Sequence, residues 1–251
     1  MIVIDSGNTN CKIWCGGSKI VKKYSGQFED FEVAILQKSR GEIAFSSVAP
    51  LKFKNIRGLL KEIGFENGVN IGEYVKREKV LGNVVQGIGS DRMLGMIGAS
   101  TLFKTPLITA DCGTATTVNF LKEENLCLGG AIFAGFKLQL DALEKGTEGV
   151  KRDRNEEFRS VIGKDTQEAL MSGIIHSIAG GIEILFKSFL KEANIRKAEL
   201  IITGGNGKSV VKILKETGVE CSFEKELIRK GIEKTYTEMS DFLKEKYTES
   251  F

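Results

Sequence analysis

The sequence predicts an α/β protein of two lobes in tandem, residues 1–104 and 105–251, in firm contact around a cleft. Three observations carry that expectation. Short apolar runs of strand length alternate with stretches of helical spacing, the pattern of mixed α/β units. The opening Ile2-Val3-Ile4-Asp5-Ser6-Gly7-Asn8 recurs as Leu107-Ile108-Thr109-Ala110-Asp111-Cys112-Gly113-Thr114, about one ordinary domain length later. The 251 residues, 41% hydrophobic and 27% charged, also suffice for a buried core in each half.

Met1 to Asp5 reads as a buried strand that stops at the turn Ser6-Gly7-Asn8-Thr9. Cys11 to Trp14 and Lys19 to Tyr24 follow as strands around a Gly16-Gly17 hairpin turn. Phe31 to Lys38 has helical spacing, Ile43 to Val48 is a strand, and Lys52 to Ile63 is a second helix. Met93 to Phe103 sets Met93, Met96, Ile97 and Phe103 on one helical stripe, and the lobe boundary is expected at 103–106. After the second Asp-x-Gly turn, Val118 to Leu121 and Leu126 to Ile132 resemble the hairpin strands of the first half. Asp165, with Glu168 three residues on, opens a long helix as a capping box. Leu170, Ile174, Ile178, Ile182, Leu185 and Phe189 carry its apolar face to Lys191. Gly173, Gly180 and Gly181 inside it weaken it by about 1 kcal/mol each relative to Ala, a loss that close approach of another helix or a ligand would explain. Glu199 to Thr203 is a strand, and Lys225 to Lys246 closes the chain as one amphipathic helix.

Composition removes several functions. Thirty-six Lys and Arg against 33 Asp and Glu leave a net charge of +3, too little to argue for a nucleic-acid or membrane partner. No unbroken apolar run reaches the roughly 18 residues that a spanning helix needs, and the N-terminus lacks the basic region of an export signal, so a cytoplasmic protein is expected. The one histidine, His176, excludes a His-rich metal site and is expected to be structural. Five cysteines, an odd number without a Cys-x-x-Cys pair, point to free thiols in a reducing compartment and away from structural zinc.

The two Asp-x-Gly turns are where chemistry is expected. Gly7 and Gly113 let neighbouring backbone N–H groups close on a phosphate, and Asn8, Thr9, Thr114, Thr116 and Thr117 add side-chain donors. Asp5 and Asp111 repel phosphate but can hold a hydrated cation that bridges to it. One such turn is more simply a strand-ending bend; two in matching context favour phosphate binding. Gly204-Gly205-Asn206-Gly207-Lys208-Ser209 ends like a P-loop, but Ile202 stands where the first glycine is required. Thr203-Gly204-Gly205 could admit an adenine or ribose, or be a plain helix entry. Gly129-Gly130 to Gly135 surrounds a short apolar strand, which suits close backbone approach to a ligand or a lobe interface. In Gly89-Ser90-Asp91-Arg92, Asp91 could accept a hydroxyl proton while Arg92 anchors a carboxylate. The alternative is an N-capping Asp beside a solvated Arg, and the residues alone favour it.

Taken together, Asp5-Ser6-Gly7-Asn8-Thr9, Gly89-Ser90-Asp91-Arg92, Asp111-Cys112-Gly113-Thr114-Ala115-Thr116-Thr117, Gly129-Gly130 to Gly135 and Thr203-Gly204-Gly205 resemble, in order, the motifs of type III pantothenate kinases. These belong to the acetate and sugar kinase, heat-shock chaperone and actin superfamily. The resemblance implies two ribonuclease H-like (actin-like ATPase) lobes with a cleft between them. It also implies a homodimer that transfers the ATP γ-phosphate to the primary hydroxyl of pantothenate, the first step of coenzyme A biosynthesis. It implies Asp91 as general base, with Gly89, Ser90, Arg92 and Thr166 at the pantothenate. The first phosphate loop would be Asp5, Ser6, Gly7, Asn8, Thr9, Asn10, Cys11 and Lys12. Gly113, Thr114, Thr116, Gly204 and Gly205 would contact ATP from the second half. Mg²⁺ is expected near Asp5 through water, and a monovalent cation, potassium or ammonium, at Asp111.

Three segments depart from the family pattern. Gly82 and Val85 replace an aromatic residue and a proline, Ala134 replaces a proline, and Thr147-Glu148-Gly149-Val150 replaces Thr-Ala-x-Leu-Pro. The rival readings are another small-molecule kinase of the superfamily and a non-catalytic nucleotide-binding regulator.

Overall fold

The computed structural model describes residues 1–39, 41–82, 84–149, 158 and 160–251; Val150 of the departing segment lies outside them. In chain order the first elements are β1 (Ile2–Ser6), β2 (Cys11–Cys15), β3 (Ser18–Lys22), α1 (Asp30–Ser39), β4 (Ile43–Ser47), α2 (Pro50–Glu62), β5 (Asn67–Asn70), α3 (Ile71–Arg77) and α4 (Ser90–Ser100). Next come β6 (Leu107–Cys112), β7 (Ala115–Glu123), β8 (Leu126–Ala134), α5 (Phe136–Gly146), α6 (Thr166–Glu192), β9 (Glu199–Thr203), α7 (Gly207–Glu216) and β10 (Ser222–Phe223). The chain closes with α8 (Leu227–Glu238), α9 (Asp241–Lys246) and β11 (Thr248–Ser250).

Two compact units result. One is Met1–Leu102 with Glu124–Leu126 and Leu227–Phe251, and the other is Phe103–Glu123 with Cys127–Glu226. The expected second lobe, 105–251, therefore gives its last helices to the first unit. The two sheets repeat one order, β5-β4-β1-β2-β3 and β10-β9-β6-β7-β8, with β11 added beyond β5. In each, the first strand pairs antiparallel with the second and parallel with the strand that follows the hairpin. The repeat seen in the sequence is thus a repeat of topology.

Strand alternation gives each sheet a core face. In the first unit Ile2, Ile4, Ile13, Ile43 and Phe45 pack with Leu36 of α1 and Phe53, Ile56 and Leu60 of α2. In the second, Ile108, Ala110, Val118, Phe120, Leu200 and Ile202 meet α5, α6 and α7. Each fully buried Ile, Leu or Phe contributes about 1.5–3 kcal/mol. By length and composition α6 passes as a membrane span, although Gly and Ser interrupt its apolar run. Here Met171, Ile174, Ile178 and Ile182 of α6 are buried in the second core.

The other face of the first sheet is covered by α3, α4 and α8, and α4 meets α8 backbone to backbone. A Cβ on Gly98 would stand 1.9 Å from the Leu227 carbonyl oxygen, and one on Gly231 would stand 2.0 Å from that of Leu94. Gly98→Ala must push the helices apart, so a loss of about 1–3 kcal/mol or more is expected, read as a lower urea midpoint with unchanged slope.

Several elements depart from the sequence reading. The closing helix is two helices, because Ser240 caps α9 by accepting the Leu243 N–H at 3.4 Å. β5, α3 and α5 escape detection: β5 is Asn-Gly-Val-Asn, which reads as a turn, and α3 is only seven residues long. β11 pairs with β5, held by Glu249, which accepts from Arg57 at 3.2 Å and from Asn70 at 2.6 Å. Within α6, a Cβ on Gly181 would touch the Phe133 ring at 3.4 Å, whereas Gly173 and Gly180 face open space. Close approach therefore accounts for only one of the three glycines.

Candidate active site

In the first unit the β1–β2 hairpin sets Asp5 opposite Lys12, so both side chains leave the sheet on the same face. Asp5 is buried, and its Oδ2 pairs with Lys12 Nζ at 3.3 Å. The Lys12 side chain is 42% exposed against 6% for Asp5, which leaves the ammonium within reach of an arriving anion. Desolvation holds the Asp5 carboxyl above its ordinary range; Lys12 opposes that shift, and the nearby charge of Asp91 adds to it. Parallel pairing brings Ser46 of β4 beside Asp5, and the Ser46 hydroxyl donates to Ser90 Oγ at 3.1 Å. That bond seats the N-terminus of α4 on the sheet and puts Asp91, in the first helical turn, in electrostatic range of Asp5. Asp91 Oδ1 accepts the Arg92 N–H at 2.9 Å.

The first-loop residues do not all face one way. Gly7 N–H donates to the Asn10 carbonyl at 3.1 Å, closing the hairpin. Cys11 is buried in the core, so only its backbone is available to a ligand. Ser6 is also buried, on the core face, and shares hydrogen bonds with Tyr24 and Ser47. Ser90 is buried as well, its hydroxyl occupied by Ser46. Trp14 is buried on the Asp5 face with Lys19 Nζ 5.3 Å and the Arg229 guanidinium 5.9 Å from its ring. It is the chain's one tryptophan and hence a built-in fluorescence reporter for this face.

Gly82 and Val85, at the positions that depart from the family, line a cavity of about 400 Å³ with Lys76, Lys79 and Met93. Gly82 has φ +81°, and a Cβ there would meet the Asn125 carbonyl at 3.1 Å. A larger side chain at Gly82 would therefore be strained in this backbone.

In the second unit the β6–β7 turn carries Gly113 and Thr114. Cross-strand register sets Asp111 between Thr117 of β7 and Thr203 of β9, all on the face away from the core. Thr116 pairs with Cys112 on the core face instead, and its buried hydroxyl has no hydrogen-bond partner among the described residues. Alternation thus gives Thr117, not Thr116, the position beside Asp111. Two further segments close on this turn. Gly135 N–H donates to the Thr114 carbonyl at 3.1 Å, and Asn206 N–H donates to the Cys112 carbonyl at 3.4 Å. Gly204 has φ +90°, and a Cβ there would lie 2.5 Å from Asp111 Oδ1, so geometry and space both demand glycine. Gly205 borders open space. Thr166 is exposed at the first position of α6, after the Asp165 cap that accepts the Glu168 N–H at 2.8 Å. His176 is structural, its Nδ1 2.8 Å from the Ser172 carbonyl and its ring packed on Phe158.

Among the described residues no three His, Cys, Asp or Glu side chains converge as a metal cage. A single carboxylate such as Asp5 suits a hydrated Mg²⁺ that arrives with phosphates and needs only one or two protein oxygens.

Comparison with known proteins gives this geometry a family. The sequence profile of type III pantothenate kinases matches residues 1–188. A type III pantothenate kinase of Thermosipho africanus is 30% identical over 247 residues, covering 92% of this chain and 96% of its own. Among solved structures, a conserved Baf family transcriptional activator from Campylobacter jejuni superposes with a TM-score of 0.61 at 19% identity, covering 95% of this chain and 98% of its own. An archaeal actin homolog in complex with ADP superposes with a TM-score of 0.51 at 11% identity, covering 95% and 100%. The two structural matches establish the actin-like fold, and the profile and sequence match establish more: this chain belongs to the type III pantothenate kinase family.

Proposed function

We propose that this protein transfers the γ-phosphate of ATP to the primary hydroxyl of pantothenate, with Asp91 as general base. Family membership supports the substrate and the reaction. The observation that supports the residue roles is the Ser46–Ser90 bond, which holds the Asp91 turn of α4 against β4, where Ser46 pairs across the sheet with Asp5 of β1. In the reaction, the pantothenate hydroxyl oxygen bonds to the γ-phosphorus as the bond to the β–γ bridging oxygen breaks. The hydroxyl proton passes to an Asp91 carboxylate oxygen, and ADP leaves. Phosphoryl transfer asks the protein chiefly to position groups and neutralise charge.

Backbone N–H groups of Gly7 to Lys12 and the Lys12 ammonium hold phosphate oxygens, and Gly113, Thr114, Gly204 and Gly205 are assigned to ATP on the family resemblance. Gly89 and Arg92 orient pantothenate, with Arg92 paired to its carboxylate. Asp5 would hold Mg²⁺ through water and Asp111 a potassium or ammonium ion; when bound, these ions offset phosphate charge. The active form is a cytoplasmic homodimer in which Thr166 reaches pantothenate. ADP release measured with and without pantothenate, in potassium and then in sodium buffer, tests this reading. Release that requires both pantothenate and potassium is the expected result. Release indifferent to pantothenate at millimolar concentration sinks the substrate assignment, and equal rates in the two salts sink the cation role of Asp111.

A further inference from the structure

We propose that Tyr24 and Lys52 are positioning residues for phosphate transfer, orienting the Gly7–Asn10 loop from the side of the sheet opposite Asp5. The inference rests on the reading that this loop holds ATP phosphates. Tyr24 follows β3, and its hydroxyl donates to the Gly7 carbonyl and lies 3.4 Å from that of Asn10. Lys52, on the first turn of α2, donates from Nζ to the Asn8 carbonyl at 2.8 Å. Three of the four loop carbonyls therefore face side chains that the sequence places 14 to 44 residues away.

In a trans peptide the C=O of one residue and the N–H of the next point in opposite directions. Capture of the Gly7 carbonyl by Tyr24 thus turns the Asn8 N–H away from Tyr24. Capture of the Asn8 carbonyl by Lys52 does the same for the Thr9 N–H. Two consecutive peptide planes are set, and their donors are presented together on the opposite side of the loop. Such preorganised N–H groups are what stabilises phosphate charge without reorganisation during the reaction.

The anchor itself is rigid. Ala49 N–H donates to Ser47 Oγ at 3.2 Å, Ser47 donates to Ser6 Oγ at 3.0 Å, and Ser6 Oγ is 2.9 Å from the Tyr24 hydroxyl. Because the one Tyr24 proton goes to Gly7, Ser6 must donate to Tyr24, and the chain runs in one direction from the start of α2 to the loop. Asn55 of α2 also donates to the Tyr24 carbonyl at 3.2 Å. Burial pushes the Tyr24 hydroxyl up to about 12, so it remains a donor across the working pH range. Ser6 and Ser47 lie on this face because strand alternation sends Asp5 and Ser46 to the other. One face of the sheet end thus carries the reacting charges, and the other aims the loop.

The test compares the wild-type chain with Tyr24→Phe, Lys52→Met and Lys52→Arg. Binding of Mg²⁺ with a non-hydrolysable ATP analogue is followed by calorimetry, and the steady-state constants are measured for ATP and pantothenate separately. Tyr24→Phe and Lys52→Met are each expected to lower kcat/KM for ATP by about tenfold. The KM for pantothenate and the binding of AMP should stay unchanged, with a thermal midpoint within about 3 °C of wild type. Lys52→Arg should keep most of the activity, because it keeps a cationic donor. Values of kcat/KM for ATP within about twofold of wild type for both variants would overturn the proposal. So would equal losses for ATP and pantothenate with a falling midpoint, the mark of a merely structural role. If the wild type ignores pantothenate while both variants weaken triphosphate binding, the substrate assignment falls and the loop clamp stands. A wild type that binds no ATP analogue overturns both.

Discussion

Asp91→Asn is expected to lower kcat with pantothenate by about 10²–10⁴-fold, the range that a positioned general base supplies. Asn retains a side-chain oxygen for the Arg92 N–H that Asp91 accepts at 2.9 Å, so the first turn of α4 should keep its shape. The KM for ATP and the thermal midpoint should therefore stay close to wild type, and the loss should fall on kcat. Steady-state kinetics with both substrates varied checks this directly. A variant that turns over at the wild-type rate removes Asp91 from the chemistry. One that fails to fold would assign Asp91 to the helix start. A regulator without catalytic duty would be indifferent to the change, which makes this the sharpest separation between an enzyme and a binding protein.

Asp5→Asn should separate activity from stability. Loss of the carboxylate is expected to lower turnover by about 10²-fold, the scale for one group that stabilises developing charge. The ligand-free protein should nevertheless melt at the same temperature or higher, because burial makes the charged Asp5 unfavourable despite Lys12. The pH dependence follows from the raised pKa. Between the unfolded value of 3.8 and the higher folded value, the native state binds more protons than the unfolded chain. Stability from Asp5 is therefore fullest below the unfolded pKa and declines as pH rises through the folded one. The melting-temperature advantage of Asp5→Asn over wild type should be small near pH 4 and grow with pH. An advantage that shrinks with rising pH would mean that the Lys12 pair outweighs desolvation.

The sequence by itself determined the repeated strand–Asp–x–Gly unit, the α/β class, the long capped helix and the family. Each is written locally. A strand ending at Asp5 or Asp111 needs only an apolar run and a glycine turn, and the Asp165–Glu168 cap spans three residues. The candidate site residues were legible as residue types for the same reason, but their directions were not. Thr116 and Thr117 are equivalent as letters; only strand alternation and the register with Cys112 and Asp111 set one on the core face and the other beside the carboxylate. Ser6, Cys11 and Ser90 likewise turn inward because of the faces they occupy. Tertiary structure alone decided that Leu227–Phe251 belongs with the first unit, since the Gly98–Gly231 contact joins helices far apart in the chain. It alone decided that Tyr24 and Lys52 reach the Gly7–Asn10 loop. A hydrogen bond needs about 3 Å and an angle, and for residues tens of positions apart those quantities exist only after the sheet has formed and its two faces have been assigned.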